Sequence, residues 1–384
     1  MSADFPALAH GIYFDHAAVA PLPRCAAKAM AQSALLASQG LHADQPWYSQ
    51  AIRVRQLGAR MVGARGPHEI AFVPNTSTGL ATLALAGFRG RGWHEGDHVV
   101  CLAHDFPANR LPWLALRAQG VKVDEVMPDA AGLTGTQAVI NAITNHTRVV
   151  AVPHVMYSTG ERLDLAEISK VAHLAGAWLC VDAIQSVGAM PVDVVKDGVD
   201  FLVADGHKWM LGPEGAGILY CHEDLIPQMP PPIIGWMNRK HALDFDADSR
   251  QWQSDARRFE PGTWNVIGLH GLGASLEVLL ETGLPEVWRR IDALNLMLRA
   301  GLLEQGCKIV SPRAEAKRSG IVAFTPPGEP HTPAALAEVR ARLKMRGICL
   351  AVRGKCLRAS PHFYNTETQV DEVLSALRAI GTGL

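Results

Sequence analysis

The stretch from Trp178 to Lys208, WLCVDAIQSVGAMPVDVVKDGVDFLVADGHK, contains two short apolar runs that each end in a charged residue. The first run ends at Asp182, and the second is followed at once by Asp-Gly-His-Lys. Two such runs joined by one crossover connection are typical of a βαβ unit. Adjacent parallel strands open at their carboxyl ends onto one crevice, where α/β proteins bind ligands. We therefore expect Asp182 and Lys208 to face the same site.

The same alternation extends through the chain towards the N-terminus. Short β-rich runs such as EIAFVP (69–74), HVVCLA (98–103) and RVVAVPHV (148–155) alternate with helical patterns such as GLATLALAGF (79–88). This pattern predicts a largely parallel sheet covered by helices, within an α/β fold. From about Val266 the pattern changes to long helices followed by a mixed tail. We predict a large domain over 15–265 and a smaller α/β domain formed by 1–14 and 266–384.

Composition excludes several classes of protein. The 384 residues are 48% hydrophobic and 19% charged, and 36 basic against 37 acidic residues leave a net charge of -1. This balance indicates no nucleic-acid partner. The seven cysteines form no close pair, which predicts no disulfide framework and no cysteine zinc site. No apolar stretch is long enough to cross a membrane and no signal sequence is visible, so we expect a cytoplasmic protein without a membrane partner.

Polar residues follow the predicted strand EIAFVP in the segment NTSTG (75–79). Thr76 and Ser77 fall where a helix would begin, so their hydroxyls and the free N–H groups of the first turn converge on the positive end of the helix dipole. Such a helix start can bind phosphate. The alternative is an ordinary N-cap, and the two interpretations are compatible.

A phosphate cradle, a buried carboxylate and a lysine at one sheet edge are what pyridoxal phosphate requires. The cradle anchors the phosphate, Asp182 keeps the pyridinium nitrogen protonated, and Lys208 forms the Schiff base. A free lysine has a pKa near ~10.4, so it is a poor nucleophile at neutral pH unless it is desolvated or held as an imine. The sequence therefore predicts pyridoxal 5'-phosphate as the cofactor.

The segment VDAIQSVGAMPVDV together with VDFLVADGHKWMLGPEGAGILY resembles the class V aminotransferase family of pyridoxal phosphate enzymes, which includes cysteine desulfurases and isopenicillin N epimerase-like proteins. Further similar segments, such as IYFDHAAVAPLP, HVMYSTGERLDL and RFEPGTWN, extend the resemblance from about Tyr13 to Leu377. The resemblance implies a fold type I architecture, with a mostly parallel sheet of seven strands between helices and a smaller C-terminal α/β domain. It also implies a homodimer.

The resemblance assigns roles residue by residue. It implies Lys208 as the Schiff-base lysine, Asp182 beside the pyridinium nitrogen and Gln185 near the ring hydroxyl. Arg358 matches the family arginine that binds the substrate carboxylate, a task that suits a guanidinium fork. The remaining residues implied to contact the cofactor phosphate are Thr76, Ser77 and His207, with Thr263 reaching the phosphate in the neighbouring subunit.

The chain departs from the family pattern at three positions near the cofactor. Phe106, in HDFPAN, stands where cysteine desulfurases have a histidine stacked on the ring; phenylalanine can stack but cannot transfer a proton. Tyr157 stands where many relatives have an asparagine close to cofactor and substrate. Asp205 stands where many have a phosphate-binding serine, so we expect its carboxylate to point away from the phosphate or to pair with a base.

Several reactions of an amino acid remain open. We expect chemistry at the α-carbon of an isopenicillin N epimerase-like or aminotransferase-like kind. The alternative is a cysteine desulfurase or C–S lyase, which we rank second because Cys349 and Cys356 are close to Arg358 and are better explained as small core residues. A protein that binds the cofactor without turnover, as a partner or regulator, is the alternative of another class.

Other motifs are explained without further chemistry. HEGDH (94–98) has the HExxH spacing of zinc proteases, but that site needs a helix, and glycine with aspartate inside the motif predicts a loop; we expect no metal site. The glycines of GRGWHEG follow a helix rather than a strand, which excludes a dinucleotide fingerprint. No GxSxG elbow is present, which disfavours a serine hydrolase.

Overall fold

The computed structural model describes residues 4–41, 47–244, 251–328 and 332–381. Within these ranges the helices are α1 (Arg24–Ser38), α2 (Trp47–Val62), α3 (Thr76–Ala86), α4 (Leu111–Ala115), α5 (Thr136–Ala142), α6 (Leu165–Leu174), α7 (Val266–Thr282), α8 (Leu284–Glu304), α9 (Pro333–Met345) and α10 (Glu367–Gly381). The strands are β1 (Ile12–Tyr13), β2 (Ile70–Val73), β3 (His98–Leu102), β4 (Lys122–Val126), β5 (Thr147–Pro153), β6 (Trp178–Asp182), β7 (Phe201–Asp205), β8 (Gly217–Cys221), β9 (Lys308–Ile309), β10 (Val322–Thr325), β11 (Ile348–Cys349), β12 (Ala351–Arg353) and β13 (Cys356–Ala359).

The main sheet has seven strands in the order β2-β8-β7-β6-β5-β3-β4. Strands β3 to β7 are parallel to one another, whereas β8 lies between β2 and β7 and is antiparallel to both. The expected α/β fold with a mostly parallel seven-stranded sheet is confirmed. Strand β8 separates β2 from β7, and the helix that follows β2, α3, contacts β7, the strand that precedes Lys208.

Both faces of the sheet are buried. Every residue of β6 and β7 is buried, as expected for parallel strands with helices on both sides. Alternate strand residues therefore belong to two separate hydrophobic clusters: Leu202 packs in one and Val203 in the other. Burial of apolar side chains on both sides contributes about 25 cal/mol for each Å² removed from water. The packed sheet therefore holds the backbone of the residues at its carboxyl edge in fixed positions.

A second, four-stranded antiparallel sheet has the order β12-β13-β10-β9 and follows α8 in the chain. Its core contains side chains from α8, α9 and α10, and Phe14 and Ile12 of the N-terminal segment pack in the same cluster. Strand β1 pairs with β11 in parallel. Helix α7, after Asn265, contributes Leu272 and Leu276 to the core of the main sheet. The domain boundary at 265/266 stays a prediction.

No helix in the described ranges is both long enough and apolar enough to cross a lipid bilayer.

Candidate active site

Strands β6 and β7 end side by side, and the residues that follow them line one cavity of about 270 Å³. Asp182 is the last residue of β6 and pairs in register with Val203 of β7. Lys208 follows the end of β7 by three residues. The structure brings nine of the predicted site residues to this cavity, namely Thr76, Ser77, Phe106, Tyr157, Asp182, Gln185, His207, Lys208 and Arg358.

The backbone after Lys208 turns sharply. The N–H of Leu211 donates to the carbonyl of Lys208 at 3.0 Å, and Leu211 has a left-handed φ of 58°. A non-glycine residue in this conformation is uncommon and is held by its surroundings. Gly188, in the turn after β6, lies against the same segment, because a Cβ there would come within 2.3 Å of the Trp209 carbonyl oxygen. The two segments that carry Asp182 and Lys208 are therefore packed backbone to backbone.

Burial and their mutual electrostatic interaction shift the pKa values of Asp182 and Lys208. Burial raises the pKa of Asp182 to about 6, against the opposing effects of the Ile184 N–H and the Lys208 ammonium group. Burial lowers the pKa of Lys208 to about 8, against the favourable field of Asp182, and the Arg358 guanidinium lowers it further. Desolvation disfavours the charged form of both groups. Lys208 is therefore closer to the neutral amine at physiological pH than an exposed lysine would be.

The segment after β2 starts helix α3 at the cavity. Asn75 is the N-cap, and its Oδ1 accepts the N–H of Thr78 at 2.8 Å. Thr76 Oγ1 accepts the backbone N–H of Asp205 at 3.1 Å, which leaves the hydroxyl proton of Thr76 available for an acceptor in the cavity. The first N–H groups of a helix have no carbonyl partner within the helix. The donors at this edge of the cavity are suited to an anion.

Asp205 lies beside a base. Its Oδ2 is 2.8 Å from Nδ1 of His207, and its Oδ1 accepts the N–H of Gly206 at 2.7 Å. At this distance the two groups are not aligned as a hydrogen bond, so the contact is one of proximity. The carboxylate is 3% exposed and faces these two groups rather than bulk water. Of the two arrangements expected for Asp205, the structure has the pairing with a base.

Gln185 is fixed by two hydrogen bonds. Its Oε1 accepts the indole N–H of Trp209 at 2.8 Å, and its Nε2 donates to the carbonyl of Ala17 at 3.0 Å. Trp209 is fully buried, and its carbonyl oxygen lies 3.0 Å from Nε2 of His362. These contacts join the N-terminal segment, the turn after β6, the segment after Lys208 and the loop after β13 at the wall of the cavity.

Two aromatic rings stand over the cavity. Phe106 and Tyr157 meet edge to face with ring centroids 5.3 Å apart, and the Phe106 ring is 44% exposed. The Lys208 ammonium nitrogen lies 5.6 Å from the centroid of the Phe106 ring. Asp105 holds the backbone of this loop, because its carboxylate accepts the Phe106 N–H at 2.7 Å and the Asn109 amide at 2.8 Å. The exposed ring is positioned to stack on a planar ligand near Lys208.

Arg358 reaches the cavity from β13 of the small sheet. Its guanidinium donates to the Tyr157 carbonyl at 2.8 Å and to Asp15 Oδ1 at 3.0 Å. The side chain is 1% exposed, and its Nε is buried without a hydrogen-bond partner. Burial lowers its pKa to about 10, although Asp15 opposes that shift. A buried donor without a partner is costly, and a ligand carboxylate would satisfy it.

Sequence reasoning missed Arg353, which also lines the cavity. The residue lies in β12, and only the pairing of β12 with β13 brings it beside Arg358. A basic residue near a predicted strand end was the available signal, but its direction depended on this short hairpin.

Thr263 does not line the Lys208 cavity. It is exposed and lines a separate groove with Gly262, Trp264 and Asn265. The segment is anchored through Glu260, whose carboxylate accepts the Trp264 indole N–H at 2.9 Å. The predicted contact of Thr263 with the cofactor of a neighbouring subunit stays a prediction.

HEGDH (94–98) forms a turn that leads into β3, as its composition predicts. His98 is the first residue of the strand, and its Nε2 lies 3.1 Å from Asp124 of the adjacent strand. His94 is near Asp97, which is bound by Arg91. The two histidines therefore do not share a helix face.

All seven cysteines lie in the described residues, and none of them lines the Lys208 cavity. Burial raises the pKa of Cys349 and of Cys356 above the ordinary thiol value. Residues 354 and 355 alone connect β12 to β13. The chain thus passes between Arg353 and Cys356 in a tight turn.

A parallel α/β sheet that presents a lysine, a buried carboxylate and an anion-binding helix start at one edge defines a class of cofactor-dependent enzymes. The sequence profile of the class V aminotransferases matches residues 12–373 of this chain. The protein belongs to the class V aminotransferase family, as the sequence resemblance predicted.

The chain is similar to curated proteins over almost its whole length. It is 31% identical to a probable cysteine desulfurase of Methanothermobacter thermautotrophicus over 98% of this chain and 97% of that protein. It is 30% identical to a probable cysteine desulfurase of Pyrococcus abyssi over 98% of this chain and 96% of that protein. The chain is also 28% identical to an uncharacterised aminotransferase of Bacillus subtilis, over 84% of this chain and 81% of that protein.

Solved structures agree in fold. The apo cysteine desulfurase of Thermococcus onnurineus superposes with a TM-score of 0.87 at 29% identity, covering 100% of this chain and 98% of that one. The cystine C–S lyase C-DES, in complex with its reaction product cysteine persulfide, superposes with a TM-score of 0.86 at 26% identity. The match covers 97% of this chain and 99% of that one. A mutant of C-DES carries glycine covalently linked to pyridoxal phosphate.

These findings establish a pyridoxal-phosphate-dependent enzyme of fold type I. The donors of the cavity suit this cofactor: hydroxyls and N–H groups at a helix start, a buried carboxylate and a lysine of lowered pKa. Apart from the uncharacterised aminotransferase, the relatives described above are desulfurases and a C–S lyase. They therefore favour the alternative of the sequence analysis over the interpretation that ranked first, and its epimerase-like form has no specific support from them.

Proposed function

We propose that this protein is a C–S lyase that cleaves the bond between Cβ and sulfur of a disulfide-containing amino acid such as cystine. The observation that carries the proposal is the Lys208 cavity, which has the residues for pyridoxal phosphate chemistry but no cysteine to accept sulfur. The structural similarity to a cystine C–S lyase supports the same choice.

In this proposal the cofactor is held by the residues at the carboxyl edge of the sheet. Thr76, Ser77 and His207 bind the phosphate, and Asp182 pairs with the ring nitrogen. Gln185 contacts the ring hydroxyl, with its amide oriented by Trp209. The remaining proposed contacts are ring stacking by Phe106 and packing by Tyr157 at the open side.

The bound cofactor supplies an electron sink for the carbanion at the substrate α-carbon. Arg358 binds the α-carboxylate, which fixes the α-carbon beside the Lys208 amine. Lys208 then removes the α-proton as general base, a role that its lowered pKa favours. The electron pair forms a Cα–Cβ double bond, and the Cβ–S bond breaks with its electrons on sulfur.

The elimination balances without an oxidant. The sulfur leaves as a cysteine persulfide anion and takes up a proton that Lys208 can return. The three-carbon remainder, 2-aminoacrylate, tautomerises and is hydrolysed to pyruvate and ammonia. Phe106 cannot donate a proton, so Lys208 is the group that we assign to proton transfer on both sides of the elimination.

A desulfurase mechanism is the second candidate, because two of the relatives described above are named probable cysteine desulfurases. That reaction needs a cysteine thiolate beside the substrate sulfur to form a persulfide. Thiolates, not thiols, are the nucleophiles, and the raised pKa values of Cys349 and Cys356 disfavour them. The tight connection between β12 and β13 also leaves little chain to carry a cysteine over the cavity.

We further propose a homodimer in which Thr263 reaches the phosphate of the neighbouring subunit. Its exposed position on a groove outside the Lys208 cavity supports this assignment. The domain of 1–14 and 266–384 is proposed to close on the domain of 15–265, because Arg358 lies in the first and Lys208 in the second.

Product analysis of the purified holoenzyme tests the proposal. With L-cystine we expect pyruvate, ammonia and cysteine persulfide in equal amounts, and none of them with Lys208→Ala. Alanine from L-cysteine, with a persulfide on the protein, would instead support the desulfurase. Exchange of the α-proton without pyruvate would support epimerisation, and no turnover of any amino acid would support a non-catalytic partner.

A further inference from the structure

The turn that follows β5 carries Tyr157 to the cavity. Its chain reverses tightly, because the N–H of Gly160 donates to the Met156 carbonyl at 2.8 Å and the N–H of Met156 donates to the Glu161 carbonyl at 2.8 Å. Gly160 has a left-handed φ of 71°, a conformation that favours glycine. We refer to residues 156–161 as the Tyr157 turn.

Two serines beside strands of the small sheet bind the backbone of the Tyr157 turn. Ser311 follows β9 by two residues, and its hydroxyl donates to the Thr159 carbonyl at 2.5 Å. Ser319 precedes β10 by three residues, and its hydroxyl donates to the Gly160 carbonyl at 2.7 Å. The serines are 2% and 1% exposed, and Thr159 and Gly160 are buried as well. Removal of either hydroxyl would therefore leave a buried carbonyl without this donor, which is costly.

The small sheet also fixes the direction of both hydroxyls. The Ser311 hydroxyl accepts the N–H of Ala323 in β10 at 2.7 Å, and the Ser319 hydroxyl accepts the N–H of Ile321 at 3.3 Å. The backbones themselves are in contact, because a Cβ at Gly160 would lie 2.8 Å from the Ile321 carbonyl oxygen. The position of the Tyr157 turn is thus set by the small sheet, although the turn follows a strand of the main sheet.

Tyr157 transmits this constraint to the neighbouring aromatic ring. Its ring packs edge to face on Phe106, with centroids 5.3 Å apart. Asp105 holds the backbone of Phe106, but a backbone contact leaves the ring free to rotate about its side-chain bonds. The Phe106 ring is 44% exposed, so its orientation depends on the contact with Tyr157.

We propose that Ser311 and Ser319 are positioning residues of the cofactor site, which hold the Tyr157 turn so that the Tyr157 ring fixes Phe106 over the cofactor. This assignment rests on the stacking role proposed for Phe106 above. Neither serine lines the Lys208 cavity, so each acts through the turn. An edge-to-face aromatic pair is strong enough to change a dissociation constant about two- to tenfold.

Titration of the apoprotein with pyridoxal phosphate tests the assignment. Ser311→Ala and Ser319→Ala should each raise the dissociation constant about two- to tenfold, the effect of one aromatic pair. Ser311→Cys and Ser319→Cys keep a weak donor of similar size and should bind the cofactor more tightly than the alanine variants. Ser169→Ala is the matched control, because Ser169 is 5% exposed and its hydroxyl donates to the Ala166 carbonyl within α6. This control should leave the dissociation constant unchanged.

A double-mutant cycle separates positioning from a general loss of stability. In a Phe106→Ala protein there is no ring to position, so the further substitution Ser319→Ala should leave the dissociation constant unchanged. Additive effects of the two substitutions, or wild-type affinity in both serine-to-alanine variants, would overturn the role of the serines. Wild-type affinity in Phe106→Ala alone would overturn the stacking on which that role rests.

Discussion

The carboxylate of Asp205 lies 2.8 Å from Nδ1 of His207, at the edge of the cavity where the start of α3 offers donors to an anion. An isolated carboxylate at this place would repel a phosphate. The contact with the imidazole and the hydrogen bond from Gly206 direct both carboxylate oxygens to groups of the protein. Asp205 therefore has the geometry of a positioning residue for His207 rather than of a ligand of the phosphate.

Asp205→Asn should weaken cofactor binding. The amide keeps the shape and can still accept the Gly206 N–H, but the charge beside His207 is lost. The carboxylate favours a protonated imidazole beside the phosphate, and an opposite charge within about 4–6 Å is worth at least about 1.4 kcal/mol, so we expect about a tenfold higher dissociation constant for pyridoxal phosphate in a titration of the apoprotein. Asp224→Asn is the matched control, because Asp224 is exposed and its histidine partner lies outside this cavity. Tighter binding in Asp205→Asn would show that the carboxylate acts by repulsion.

Asp105 should make the stability of the apoprotein depend on pH. Burial, with the field of Asp182, raises the pKa of Asp105 to about 7 from the ordinary value of 3.8. The folded state thus holds a proton that the unfolded state has released, and stability is lost as the pH rises from about 4 to 7. Asp105→Asn lacks this titration, so its free energy of unfolding relative to wild type should increase over that range by a few kcal/mol, at about 1.4 kcal/mol per unit of pKa shift.

Chemical denaturation of the apoprotein at pH 5 and pH 8 measures this difference. The exposed Asp224→Asn serves again as control, and its effect should be the same at both values. A constant difference between Asp105→Asn and wild type would mean that Asp105 does not titrate in this interval.

Strand ends were predictable because their chemistry is local. A buried apolar run that stops at Asp182, and another that stops just before Lys208, indicate both the strand and the position of the charged group. The insertion of β8 between β2 and β7 was not predictable in this way, because its antiparallel pairing depends on contacts across the chain. The direction of Arg353 into the cavity was not predictable for the same reason, because it depends on the register of the two short strands β12 and β13.

The role of Asp205 was predictable only in part. Its sequence position indicated a conflict with a phosphate, and pairing with a base was one of two ways to resolve it. Which base would pair depended on side-chain directions beyond the strand end. His207, two residues further on, is the partner in the folded chain.

Glu260 should be a major contributor to the stability of the segment that carries Thr263. Its carboxylate binds Arg55 through two hydrogen bonds of 2.5 and 2.6 Å and also accepts the N–H of Phe72. Glu260 is 2% exposed, and loss of one partner from a buried ion pair costs about 3–5 kcal/mol. Glu260→Gln should lower the free energy of unfolding by this amount in urea denaturation. Glu277→Gln, which breaks the more exposed pair with Arg53, should cost about 0–1 kcal/mol, and an equal effect of the two would contradict the assignment.

The cysteines should be dispensable if sulfur leaves on a small molecule. The double variant Cys349→Ala with Cys356→Ala removes the two thiols near Arg358 in sequence, neither of which lines the cavity. We expect pyruvate formation from cystine to stay within about twofold of wild type, since a small core residue replaced by alanine loses little packing. Loss of turnover with an intact fold and bound cofactor would indicate that one of the thiols accepts sulfur.

Reduction of the holoenzyme with borohydride, followed by peptide mapping, identifies the lysine that binds the cofactor. We place the cofactor in the cavity where Lys208 lies close to Asp182 and the start of α3. We therefore predict that the visible absorption band disappears on reduction and that the cofactor label maps to Lys208. A label on another lysine, or a reducible band that persists in Lys208→Ala, would contradict this prediction.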